Sequence, residues 1–229
     1  MTRIRVWDLP TRLFHWLLVA AIVTAFVTAK VGGNAMDWHG RAGLLIIGLL
    51  VFRLVWGFIG SFNSRFANFV RGPAAIRAYL QGKWQGAGHN PLGALSVLAM
   101  LALFVAQAAT GLFANDDVAF EGFLYPLVSA AVSEKITGIH KLLEIAIILL
   151  VLAHLGAIAF YTRIRKETLI MPMITGDKEA TELPASSPRG GGFIAFIIAA
   201  AIGVAAAYAA SGALLPPPPP PAAVETPAW

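Results

Sequence analysis

No cysteine occurs in this chain of 229 residues. Disulfides, thiolate metal sites, iron–sulfur clusters and thioether-linked cofactors are therefore excluded, since each requires a thiol. Charge is scarce as well: 13% of residues are charged against 58% hydrophobic, and the mean hydropathy is +0.72. That balance is too apolar for an ordinary soluble domain and indicates a polytopic membrane protein. Acidic residues are missing altogether from residues 61–90, which carry Arg65, Arg71, Arg77 and Lys83. The net charge of +5 is thus better read through its distribution among loops than as a nucleic-acid footprint.

Five apolar stretches are long enough to cross about 30 Å of hydrocarbon. They fall near Leu13–Gly32, Trp38–Gly60, Pro91–Ala114, Thr137–Thr162 and Gly192–Leu215. His15 and Trp16 at the start of the first stretch, and "TAKVGG" at its end, argue against a cleaved signal peptide. No internal repeat or broken span suggests a transporter.

Loop charge sets an expected orientation. Residues 1–12 hold Arg3, Arg5 and Arg12 against Asp8, and residues 163–190 hold Arg163, Arg165, Lys166, Lys178 and Arg189 against four acids. Residues 115–136 reverse the sign, with Asp116, Asp117, Glu121 and Glu134 against Lys135. The positive-inside rule then places the N-terminus in the cytoplasm and, after five crossings, the C-terminus outside. Between the second and third spans, "GPAAIRAYLQGKW" reads as a short amphipathic helix on the membrane surface or as a plain loop. The last residues, "PPPPPPAAVETPAW", form a polyproline rod or an exposed tail.

Only five histidines are present, and two of them, His140 and His154, sit fourteen residues apart in the apolar run "HKLLEIAIILLVLAH". On an α-helix that spacing returns to within about 40° of the same face and spans about 21 Å. Ionisable groups at membrane depth are costly and mark a pathway or cofactor. With the topology above, His39 and His140 share the outer level, and His15 and His154 share the inner level. Two imidazoles from different helices can supply both axial nitrogens of a haem, and helix bundles house such cofactors. Zinc would require more ligands at each level. The pattern therefore points to an all-α integral membrane protein: a four-helix transmembrane bundle holding two haems b, plus a fifth transmembrane helix.

Haem carboxylates need cationic partners. Arg53 lies fourteen residues after His39 on the same helical face, and Arg12 lies three before His15, so both are candidates at the inner level. Arg41 and Lys141 are candidates at the outer level; all four could instead snorkel to lipid headgroups. Gly40, Gly43, Gly138 and Gly156 leave room for a flat macrocycle or for close helix packing. His89, in "GHNPLGAL", reads as a polar neighbour of the inner level, with Asn90 as helix cap and Pro91 in the first helical turn.

"VWDLPTRLFHW", "HGRAG", "GHNPLGALSVL" and "HKLLEIAIILLVLAH" together resemble the bacterial cytochrome b561 family, which is related to the b-type subunits of nickel-iron hydrogenases. The resemblance covers roughly residues 5–175. It implies a di-haem four-helix core in the bacterial inner membrane, passing electrons between the quinone pool and a partner redox protein. His15, His39, His140 and His154 match that family's haem ligands. One histidine on the second helix and two on the fourth suit the small cytochrome pattern better than the hydrogenase subunit. The expected divisions are a haem core over residues 1–175, a cytoplasmic linker over 176–191, a fifth transmembrane helix over 192–215 and a periplasmic tail over 216–229. The expected role is a transmembrane electron conduit, as an electron-transfer protein or a quinone-linked oxidoreductase subunit. Its partners would be the lipid bilayer, quinone and a periplasmic c-type cytochrome or other redox subunit, with no nucleic acid. A haem-bearing membrane anchor for a larger redox complex is the alternative.

Overall fold

The computed structural model describes residues 2–83, 90–180 and 191–216. The chain is mostly helical, and five of its helices are long and apolar enough to cross a membrane. In order the elements are β1 (Thr2–Arg5), α1 (Leu9–Val31), α2 (Met36–Ile59), α3 (Phe66–Phe69) and α4 (Pro73–Leu80). They continue with α5 (Pro91–Gly111), α6 (Ala130–Arg163), α7 (Ile170–Thr175), β2 (Asp177–Ala180) and α8 (Gly192–Ala210). His89, residues 181–190 and the tail from residue 217 lie outside the described residues.

Local chemistry fixes the helix starts. Asp8 caps α1 by accepting the Thr11 backbone N–H at 2.6 Å, and Asn90 caps α5 by accepting that of Gly93 at 2.7 Å. Pro91 occupies the first turn of α5, where its missing N–H costs nothing. The segment beginning at Gly72 does form the short helix α4. α6 is longer than its apolar run: its 34 residues span about 50 Å, so it projects beyond a bilayer core.

α2 is the centre of the bundle. Its Ile46, Leu50, Phe52 and Trp56 are buried against Phe14, Leu18 and Ala21 of α1, Leu101 and Phe104 of α5, and Ala199 of α8. α8 lies outside residues 1–175 yet packs directly on α2. A Cβ at Gly203 would fall 2.6 Å from the Gly48 carbonyl oxygen, so only glycine permits this approach. α6, by contrast, packs along α5 and makes scarcely any close backbone approach to α1 or α2. Ile147 and Val151 reach the core from α6, but its membrane window has no fully buried residue. The α6 backbone thus stands off from the α1–α2 pair, and the space between them, which side chains such as Ile147 and Val151 enter, forms a slot.

One element departs from the all-α expectation. β1 pairs antiparallel with β2, Arg5 opposite Asp177, with an Arg5–Asp177 ion pair at 3.2 Å. Residues 177–180, expected to begin a linker, thus tie the segment after α6 back to the N-terminus. Hydrophobic periodicity gives no sign of a strand this short and polar.

Candidate functional site

The histidines lie along the slot. At the end where α1 turns into α2, His39 of α2 and His140 of α6 face each other with ring centroids 6.2 Å apart and planes 82° apart. Each ring is held by a helix other than its own. His39 Nδ1 donates to the Ala25 carbonyl of α1 at 2.8 Å, and His140 Nδ1 donates to the Gln107 carbonyl of α5 at 3.0 Å. A carbonyl can only accept, so both Nδ1 atoms carry the proton and both Nε2 atoms keep a lone pair. The Gln107 side-chain amide lies 3.0 Å from His140 Nε2 and donates to that lone pair. Thr110 Oγ1 stands 3.1 Å from His140 Nδ1.

The loop joining α5 to α6 closes this end. Phe120 meets the His39 ring edge-on, at 6.2 Å between centroids, and packs against Gly40. Asn115 fastens the loop to α6 by donating to Ser133 Oγ at 2.7 Å, and Ser133, fully buried, donates to the Phe113 carbonyl at 2.7 Å. Asp116 accepts the N–H groups of Val118, Ala119 and Phe120 at 2.9–3.0 Å. These bonds, that of Phe120 foremost, hold its carboxyl below the usual carboxylate range. Lys30, near the end of α1, pairs with Glu144 of α6 at 2.6 Å. Arg41 stacks over the Trp38 ring at 5.1 Å, and Lys141 is exposed on α6.

At the N-terminal end of the slot, His15 of α1 and His154 of α6 are within electrostatic reach of each other. His15 packs edge-on against Trp16, 4.8 Å between centroids. Arg53 is 3% exposed, with its guanidinium over the rings of Phe66 and Phe69 at 5.0 and 5.8 Å. Asp8 acts on it electrostatically while accepting from Trp56 Nε1 at 3.2 Å and from the Ser61 hydroxyl. Arg12 donates to the Ile174 carbonyl at 2.5 Å, which anchors α7 beneath α1.

Two observations bear on what the slot can hold. A histidine nitrogen binds a first-row metal at about 2 Å, and the 6.2 Å between the His39 and His140 ring centroids leaves room for one ion between them. Among the described residues no three His, Asp or Glu side chains converge on a point. Two imidazoles without a third protein ligand suit a porphyrin, which brings four nitrogens of its own.

Second, six buried side-chain polar atoms lack a partner among the described residues. Thr11 Oγ1, Arg12 Nε and His15 Nδ1 lie within about one turn of His15 on α1, Arg53 Nη1 lies on α2, Thr162 Oγ1 lies two turns beyond His154 on α6, and Gln107 Oε1 belongs to the side chain beside His140. Buried polar groups are ordinarily satisfied. Four of the six stand at the N-terminal end of α1 and the facing end of α2, two of them on arginines, and donors of that charge fit an anionic group. Gly43, Gly138 and Gly156 face open space.

A family model described as prokaryotic cytochrome b561 matches residues 6–176. The chain belongs to this family. As a prokaryotic cytochrome b561 it is a multi-pass membrane b-type cytochrome with a role in electron transport. A probable Ni/Fe-hydrogenase B-type cytochrome subunit of Azotobacter chroococcum mcd 1 is 26% identical over 217 residues, covering 76% of this cytochrome and 88% of the relative. One from Bradyrhizobium diazoefficiens is 22% identical, covering 76% and 85%. The probable Ni/Fe-hydrogenase 1 B-type cytochrome subunit of Escherichia coli K12 is 26% identical over 137 residues, covering 46% and 57%. No solved structure matches. α8 falls wholly beyond the residues that the family model matches.

Sequence reading missed several members of this site. Gln107, Thr110, Lys30 and Glu144 were all visible as polar residues inside or at the edge of apolar runs, which is a signal in itself. Asp8 was counted only as a loop charge.

Proposed function

We propose that this cytochrome moves electrons across the bacterial inner membrane by way of two bis-histidine b haems, one held by His39 and His140 and one by His15 and His154. The observation that carries this reading is the outer pair: two imidazoles on separate helices, facing each other with ring centroids 6.2 Å apart, each with its Nδ1 proton committed to a backbone carbonyl. Bound in the slot, haem supplies one-electron iron chemistry and two carboxylates. The chain supplies everything that orients it. The Ala25 and Gln107 carbonyls fix ring rotation and leave Nε2 as the ligating atom, and such bonds raise imidazole basicity. The Gln107 amide, which donates to His140 Nε2 in the structure, would have to give up that lone pair for His140 to serve as a ligand. Arg53 and Arg12 would pair with the inner carboxylates, and the Thr11 hydroxyl would add a donor. Arg41 and Lys141 serve the outer carboxylates.

Loop charge supports a cytoplasmic N-terminus and a periplasmic C-terminus. The acidic loop over 115–136 then faces the periplasm beside the outer haem. A basic c-type cytochrome is the partner this surface would steer, with quinone as the exchange partner within the bilayer. The second reading is a haem-bearing anchor subunit of a hydrogenase-like complex. The names of the relatives favour it, and so does α8, an added helix outside the family core that offers a partner a further surface.

Purified protein in proteoliposomes containing quinol should reduce external cytochrome c, and replacing any of the four histidines by alanine should remove that activity. Reduction no faster than in protein-free vesicles would overturn the conduit reading. Co-purification with a hydrogenase-type partner would favour the anchor.

A further inference from the structure

α1 and α6 flank the slot with scarcely any close backbone approach between them. Across that gap Lys30 Nζ meets Glu144 Oε1 at 2.6 Å. Among the described residues the ion pairs are this one and Arg5–Asp177. Both ends of the link lie close to the outer histidines. Glu144 is one helical turn beyond His140, hence on the same face, and acts on it electrostatically. Lys30 is five residues beyond Ala25, whose carbonyl holds His39 Nδ1. It also lies over the Phe26 ring at 5.2 Å, which limits its rotation. A carboxylate in an apolar membrane helix carries a cost, and here its partner reaches it from the other side of the slot.

We propose that Lys30 and Glu144 are a positioning pair that sets the separation of His39 and His140. The pair ties the helix that orients one imidazole to the helix that bears the other. When it breaks, α1 and α6 part, the Ala25 carbonyl withdraws, and His39 turns away from His140. This rests on the bis-histidine assignment of the outer site. Neither residue touches the cofactor in this account; both act through the two rings.

The test uses the full-length holoprotein in detergent with excess apomyoglobin as haem acceptor, read together with low-temperature EPR of the oxidised haems. Lys30→Ala and Glu144→Gln should release the outer haem about three to five times faster than wild type, the range of a partly exposed ion pair, and should shift its low-spin g values. The inner haem should keep both its rate and its signal. The reversed pair Lys30→Glu with Glu144→Lys should restore both properties, while each single reversal should release haem faster still. Wild-type release and g values in Lys30→Ala and Glu144→Gln would overturn the proposal, as would equal effects on both haems. His140→Ala separates the two levels of inference. Loss of the outer haem there, with no effect of the ion-pair variants, refutes the positioning pair alone; retention of both haems refutes the assignment beneath it as well.

Discussion

His39 and His140 stand on α2 and α6, but the carbonyls that hold their Nδ1 atoms belong to Ala25 of α1 and Gln107 of α5. One pair of imidazoles therefore draws on four helices, and the outer site is assembled only when all four are in place. His15 Nδ1 has no such partner. The two levels are thus unequal: the outer rings are oriented by backbone, whereas the inner level is distinguished by buried arginine.

That orientation depends on space at α5. A Cβ at Gly111 would lie 3.0 Å from His140 Cε1. Gly111→Ala should push the ring off the Gln107 carbonyl at a cost of about 1–3 kcal/mol, typical of overpacking. Haem quantification should show partial loss of the outer haem and full retention of the inner one.

Arg53 makes the opposite level testable. Its buried guanidinium has an unpartnered nitrogen at the level of His15 and His154. Replacing Arg53 by Leu removes a positive charge that favours the reduced, more negative haem. The inner midpoint potential should fall by about 60 mV or more, equivalent to a factor of ten in a one-electron equilibrium. Potentiometric titration should find the outer potential unmoved.

Asp116 gives a pH dependence of known sign. Hydrogen bonds from Phe120, Val118 and Ala119 favour its charged form and hold its carboxyl below the ordinary value of about 4. A depressed folded pKa adds stability above the unfolded pKa, lost as pH falls through the folded value. Lowering the pH from 7 to 5 should therefore leave these three amides protected from hydrogen exchange once intrinsic rates are corrected. Asp116→Ala should expose them at both pH values.

The acidic loop carries the partner prediction. Neutralising Asp116, Asp117 and Glu121 together, as D116N, D117N and E121Q, should slow electron exchange with a basic cytochrome c in stopped flow. Added salt should slow the wild type in the same direction, since exposed charges are screened beyond about 10 Å at 0.1 M. Rates flat against both changes would remove electrostatic docking from the account.

Much of this arrangement was legible in the sequence, for reasons that also mark the limit. Fourteen-residue spacing puts His140 and His154 on one face because helix geometry alone decides it. Loop charges and apolar length likewise gave five spans. Periodicity does not say which neighbour a face meets, so α8 docking on α2 through Gly48 and Gly203 was not foreseeable from a helix hydrophobic on every side. Gln107 and Glu144 show a different shortfall. Each is a polar residue stranded in an apolar helix: Glu144 lies one turn from His140 by spacing alone, but its pairing with Lys30, like the approach of Gln107 to His140, is decided only by the fold. Arg12 illustrates the reverse: its spacing from His15 is plain, yet its guanidinium also donates to the Ile174 carbonyl of α7, 162 residues on in the chain.

The central claim is that two histidine pairs hold two haems b, and a pyridine haemochrome count on purified protein tests it most directly. The wild type should carry two haems b per chain. His39→Ala and His140→Ala should each retain one, the same one by redox titration, and His15→Ala and His154→Ala should each retain the other. A wild-type count of one or none, or matching titrations for His39→Ala and His154→Ala, would contradict the account.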